Sequence, residues 1–195
     1  MSNAFILAAN SVTSADVAAA RLGTRFGRMD LASQLSLLAV EPFAPHFEVF
    51  ARDRIAIVLA ARAGSLPTDV AYWNARHEPG GLSPTLFTYT LPSAAIGEIA
   101  IRHRLTGPNL CFVGPSHDVL TEAAELLRTN EADACLAIFT HVVSPALTEK
   151  IPLTEAARAC AVFIGRNGPG LAALGENRRD METFCANLRQ QNLTK

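Results

Sequence analysis

A chain of 195 residues with 49% hydrophobic side chains can bury one sizeable core, so a single domain is expected. Its 17 basic residues nearly cancel 18 acidic ones, leaving a net charge of -1, and no basic run is longer than Arg178-Arg179. That balance excludes nucleic acid or an anionic membrane as the main partner, because both require clustered cations; a small molecule or another protein remains.

The first apolar run, Phe5 to Ala9, predicts a strand. "DLASQLSLLAV" then places Leu31, Leu35, Leu38 and Ala39 on one helical face, with Asp30 as the N-cap. "RIAIVLAARAG" contains a continuous apolar run from Ile55 to Ala60, the pattern of a strand buried on both faces. Residues 64–84 read as a polar, Gly/Pro-rich connection carrying the single tryptophan, Trp73. A helix over 93–104 follows, whose small residues Ala94, Ala95, Gly97 and Ala100 would let another backbone approach.

Residues 109–113 predict a short apolar strand and 115–129 a helix with Val119, Leu120, Ala123, Ala124 and Leu127 inward. "ACLAIF" and "ACAVFIG" predict two more buried strands, at 134–139 and 159–165. Alternating strands and helices imply an α/β layered domain with a mostly parallel sheet. Residues 1–175 are assigned to this domain and 176–195 to a surface helix with a frayed tail.

The cysteines at 111, 135, 160 and 185 show no CxxC or CxxH spacing, so no zinc or other metal site is expected. Cys111, Cys135 and Cys160 lie in apolar stretches and read as buried structural thiols. "MSNAFILAAN" lacks the basic n-region and the length of a signal peptide, and no stretch reaches the roughly 18 apolar residues of a membrane span. A cytoplasmic protein without a cofactor is the expectation.

"SPTLFTYTLPSAAIGEIAIRHRLTGP" (83–108) resembles the stretch of β-ketoacyl synthases in which a Ser-Pro turn precedes a small-residue helix, then "GP", then the strand leading to the nucleophile. "GRMDLASQLSLLAVEPF" looks like the family's early helix, "AAELLRTNEADACLAIF" like the helix after the nucleophile with its following strand, and "AARACAVFIG" like the strand closing the first half. The resemblance implies a thiolase-like half: one layered α/β domain with a mixed, mostly parallel five-stranded sheet and flanking helices. A complete ketosynthase has roughly twice this length, and the matches belong to its first half.

In an active ketosynthase the cysteine nucleophile stands eight residues after the "GP" proline, at a helix N-terminus that lowers its pKa. Counted from Pro108 that position is Ser116, counted back from "LLR" (126–128) it is Val113 in a shorter loop, and Cys111 falls inside the strand, so neither count yields a cysteine. Ser116, His117 and Asp118 are contiguous, but neighbours on a helical turn point about 100° apart and cannot align as nucleophile, base and orienter. The expectation is that Ser116 is inactive, with Ser116 or Asp118 capping a helix. The family's catalytic histidines belong to the absent half, so no such role passes to His46, His77, His103 or His141; His103 is expected to be exposed.

Ketosynthases dimerise through the strand before the nucleophile, and type II polyketide systems pair an active subunit with a catalytically dead one, the chain length factor. The resemblance therefore implies a non-catalytic subunit, similar to truncated ketosynthase-like proteins of aryl polyene and related pigment pathways. Its partners would be a full-length ketosynthase and an acyl carrier protein bearing the growing chain. Asn109, Leu110, Cys111, Phe112 and Val113 would form the interface, and Phe87, Phe112 and Leu120 would limit the acyl tunnel. Two alternatives stay open: a small acyltransferase or thioester hydrolase using Ser116, and a non-catalytic acyl-binding homodimer.

Overall fold

Strands that are apolar at every position must be covered on both faces. Ile55–Ala61 (β2) and Ala134–His141 (β4) are such strands, with every residue buried. The computed structural model describes residues 4–114, 119–143, 157–166, 172–173 and 181. Around the two central strands lie Phe5–Thr13 (β1), Asn109–Val113 (β3), Arg158–Gly165 (β5) and the two-residue Ala172–Ala173 (β6). The helices are Ser14–Ala19 (α1), Leu31–Val40 (α2), Ala44–Phe47 (α3), Leu66–Ala75 (α4), Pro84–Thr88 (α5), Ala94–His103 (α6) and Val119–Arg128 (α7).

The sheet has the order β3-β2-β4-β5-β1-β6. β2 pairs in parallel with β3 and β4, while β5 lies antiparallel between β4 and β1. Four of the five long strands thus run one way and β5 opposes them, which is the expected mixed sheet, with β6 added against the start of β1.

Side chains alternate strictly between two cores, as the period of a strand requires. Ile55, Ile57 and Leu59 of β2, Leu136 and Ile138 of β4, and Ala161 and Phe163 of β5 point to one face. There they meet Leu35, Ala39 and Val40 of α2, Ile96 and Ile99 of α6, and Phe43 and Phe47. Ala56 and Val58, Ala137 and Phe139, and Val162 and Ile164 point to the other face, which α7 covers with Val119, Leu120, Ala123, Leu126 and Leu127. Each fully buried Leu, Ile or Phe contributes about 1.5–3 kcal/mol relative to exposure. The three layers are therefore held by the alternation itself.

Local signals explain the helix ends. Asp30 caps α2 by accepting the Ser33 N–H at 3.0 Å. α6 stops at Arg104, which takes the left-handed conformation with φ 56°, while the next residue's N–H returns to the Ala100 carbonyl at 3.0 Å. The following "GP" turn presses on β2: a Cβ at Gly107 would sit 2.3 Å from the Ile55 carbonyl oxygen. Only glycine lets the chain enter β3 at this distance.

Three expectations change. The Gly/Pro-rich stretch at 64–84 contains α4, and α5 begins at its end. Two of its three prolines sit at helix starts, where the missing N–H costs nothing: Pro67 follows the N-cap Ser65, and Pro84 follows Ser83, whose hydroxyl accepts the Leu86 N–H at 3.2 Å. Gly97, read as a site of close backbone approach, faces open space, with no neighbour within 4 Å of the place a methyl group would take. Cys160, read as a free buried thiol, is disulfide-bonded, whereas Cys111 and Cys135 are free. Of the expected C-terminal helix only Met181 is described; it is helical and buried in the α7-side core.

Candidate functional site

β3 ends the sheet, so one of its edges has no strand partner among the described residues. Its burial differs sharply from that of β2: Asn109 and Val113 are exposed, Leu110 and Cys111 are half-buried, and Phe112 is 37% exposed. No residue of "NLCFV" is charged and none is proline. Charges, prolines and bulges are what normally protect an edge from pairing with another chain. Among the described residues this edge carries none of those protections.

At the carboxyl end of β3, Val113 leans over Gly64, 3.2 Å from the position a Cβ would take there. Gly64, with φ +59°, turns the chain from β2 towards α4 and also walls an apolar cavity of about 330 Å³. The cavity lies at the carboxyl ends of β2 and β4, the usual place for ligands in sheets of this class. Leu31, Pro67, Ala71, Leu86, Val142 and Val143 line it, and Asp30 and Thr68 form its polar corner. The Thr68 hydroxyl donates to Asp30 Oδ2 at 2.8 Å, so the cap of α2 also ties down α4.

Behind this cavity a narrow cleft of mixed polarity runs between α2, α6 and the strand ends. Ser36 and Thr140 share a buried hydroxyl–hydroxyl hydrogen bond of 2.6 Å there. Tyr89, 6% exposed, donates to Glu98 Oε1 at 3.0 Å, and Arg25 holds the same carboxylate with Nε at 2.8 Å. Burial, with help from the Glu98 hydrogen bond, pushes the Tyr89 phenol up to about 12. It is a fixed strut rather than an acid or base near neutrality.

The residues expected to carry chemistry are not assembled into a catalytic group among the described residues. Burial raises the Cys111 and Cys135 thiols, the opposite of what a nucleophile needs. Ser116, His117 and Asp118 lie outside the described residues, and the capping expectation for them with it. His103 is not exposed as expected: its ring packs edge-on against Phe47 with centroids 5.2 Å apart, its side chain is 8% exposed, and burial lowers its pKa. His141 is buried at the end of β4. No group of three or more His, Cys, Asp or Glu suited to a metal occurs among the described residues.

The structure divides the expected tunnel residues among three places. Phe112 is on the free strand edge; Phe87 is 59% exposed on α5, its ring 5.4 Å from that of Tyr72; Leu120 is 5% exposed in the α7-side core, across the sheet from α2. The cavity is lined instead by Leu86, the neighbour of Phe87, and by α4, whose composition reads as a loop. The signal that marks α4 is Ser65 before Pro67, a cap followed by a proline in the first turn.

No protein-family model and no curated protein sequence matches the chain. Solved structures do match it by fold. A chain of the ishigamide ketosynthase/chain length factor superposes with a TM-score of 0.71 at 19% identity, covering 88% of this chain and 65% of that one. A ketosynthase in complex with its chain length factor, from Xenorhabdus doucetiae, gives 0.66 at 13% identity, covering 86% and 80%. A complex of a type II polyketide synthase acyl carrier protein with its hexaketide-bound ketosynthase gives 0.67 at 16% identity, covering 85% and 63%. The chain thus spans a little under two thirds of the length of two of these chains and four fifths of the third. The fold is the thiolase-like ketosynthase and chain-length-factor fold.

Proposed function

We propose that this protein is a non-catalytic, chain-length-factor-type subunit that pairs with a full-length β-ketoacyl-carrier-protein synthase. The observation that carries the reading is the undefended apolar edge of β3, with Phe112 37% and Val113 62% exposed in a strand that holds no charge. Two further observations support it. The only cysteine on β3 has its thiol raised by burial, and structures of the same fold include ketosynthases solved with their chain length factors.

In this reading the partner supplies the nucleophile and receives the substrate from an acyl carrier protein. The growing chain crosses the interface and is limited by side chains of this subunit. The setting is type II polyketide synthesis of the aryl polyene pigment kind, or fatty acid synthesis, in the cytoplasm. The test is co-expression with a full-length ketosynthase, followed by purification through a tag on one subunit and mass determination of the complex. A one-to-one heterodimer is expected. A chain that stays monomeric or pairs only with itself in the presence of the ketosynthase overturns the proposal.

A further inference from the structure

The cavity between α2, α4, α5 and the end of β4 combines two unlike surfaces. Most of its wall is aliphatic, from Leu31, Pro67, Ala71, Leu86, Val142 and Val143. One corner holds a carboxylate, that of Asp30, and a hydroxyl, that of Thr68, which is 7% exposed. Asp30 already accepts two hydrogen bonds, from the Ser33 N–H at 3.0 Å and the Thr68 hydroxyl at 2.8 Å. A carboxylate offers about four acceptor sites, and Thr68 has spent its only proton on Asp30. These two side chains therefore present acceptors to the cavity and no donor. A ligand atom beside them must bring a proton.

We infer that this cavity binds an apolar chain whose far end carries a hydrogen-bond donor, a hydroxyl being the simplest, and that Asp30 reads that end. A plain methyl end would strip water from the carboxylate and return nothing, and an end bearing its own carboxylate would meet like charge. At about 330 Å³ the cavity has room for a chain of about ten atoms. The identity of the ligand as an acyl chain rests on the function proposed above; its mixed polarity rests on the cavity alone.

The test titrates the full-length protein with three N-acetylcysteamine thioesters: decanoyl, 10-hydroxydecanoyl, and decanedioyl with its distal carboxylate free. The hydroxylated thioester should bind about tenfold more tightly than decanoyl, in line with a hydrogen bond to a charged acceptor. The distal carboxylate should bind more weakly than both. Asp30→Asn keeps a competent helix cap, so the protein should fold while the tenfold preference shrinks to about twofold or less. Leu86→Trp fills the cavity and should abolish binding of all three. Equal affinity for the decanoyl and hydroxydecanoyl thioesters, or a preference untouched by Asp30→Asn, overturns the inference. Capture of a ketosynthase without binding of any thioester defeats this inference and leaves the pairing reading standing. Binding with the expected preference but without capture does the reverse.

Discussion

Placing positive charge on the β3 edge should disconnect the subunit from its partner without unfolding it. The perturbation is the double substitution Phe112→Lys and Val113→Lys. Complete burial of a Val or Phe side chain is worth about 1.5–3 kcal/mol relative to exposure. Val113 is 62% and Phe112 37% exposed, so association can still gain more than half of that for the first and over a third for the second. Together the two residues should contribute about 2 kcal/mol to pairing, or roughly 30-fold in Kd. Two lysines remove this gain and add the cost of desolvating charge at a strand edge, so 30-fold is a floor. Stability of the subunit alone should fall by only about 1–2 kcal/mol, from the share of Phe112 and Val113 already covered within the subunit. Biosensor titration against immobilised ketosynthase reads the first quantity and urea unfolding the second. An unchanged Kd would refute the assignment of β3 as the interface; an affinity loss that merely tracks a large fall in stability would refute the reasoning from exposure.

Three further outcomes follow from the geometry. Gly107→Ala brings a methyl within 2.3 Å of the Ile55 carbonyl oxygen and should cost about 2–3 kcal/mol in urea unfolding, far more than the same substitution at the open Gly97. Tyr89→Phe leaves Glu98 with Arg25 as its remaining side-chain partner among the described residues and should cost about 1–2 kcal/mol, read the same way. The pKa of His103 is lowered chiefly by burial, so the unfolded chain binds this proton more readily than the folded one. The contribution of His103 is then present above the ordinary histidine value of about 6.5 and lost as pH falls below it. His103→Gln should flatten stability between about pH 6.5 and 5, and a slope identical to that of the unsubstituted protein in that window would show that another group is responsible.

Legibility follows burial. β2, β4 and β5 can be placed from sequence within one or two residues because both of their faces are apolar, and such runs admit few alternatives once Gly or polar residues bound them. α2 is readable from Asp30 and the spacing of its leucines. The segment from Gly64 to Pro84 is not, because composition and position give opposite readings. Its prolines and glycines suggest a loop, yet Pro67 and Pro84 occupy the one turn of a helix that tolerates them. The same ambiguity hides the wall of the cavity: helix α5 leaves Phe87 59% exposed and turns Leu86 into the cavity. Which of two neighbours faces a cavity depends on helix phase, and a five-residue helix with no period of its own does not announce its phase. Composition alone hides the exposure of Phe112 and Val113, because "NLCFV" is as apolar as a central strand; the resemblance to ketosynthases implies an interface strand here, and the sheet order places β3 at the edge.

That sheet order also links the two surfaces. Gly64 closes the carboxyl end of β2, touches Val113 of the edge strand on one side, and walls the cavity on the other. A chain bound in the cavity and a partner strand laid along β3 would therefore meet the same short turn, and neither could shift it without being felt by the other. The turn has little freedom: Gly64 sits at φ +59°, its N–H is held by the Ala61 carbonyl at 3.1 Å, and the Gly114 N–H bonds to the same carbonyl at 3.2 Å. A turn held this way is a poor moving gate, so under the proposed function a limit on chain length would come from the side chains beyond it. Leu86, Val142 and the Asp30–Thr68 pair line the cavity there, and the Asp30–Thr68 bond ties α2 to α4. Under the proposed function, that surface would be built into the fold before a partner arrives, and the partner would add through β3 the route by which the chain reaches it.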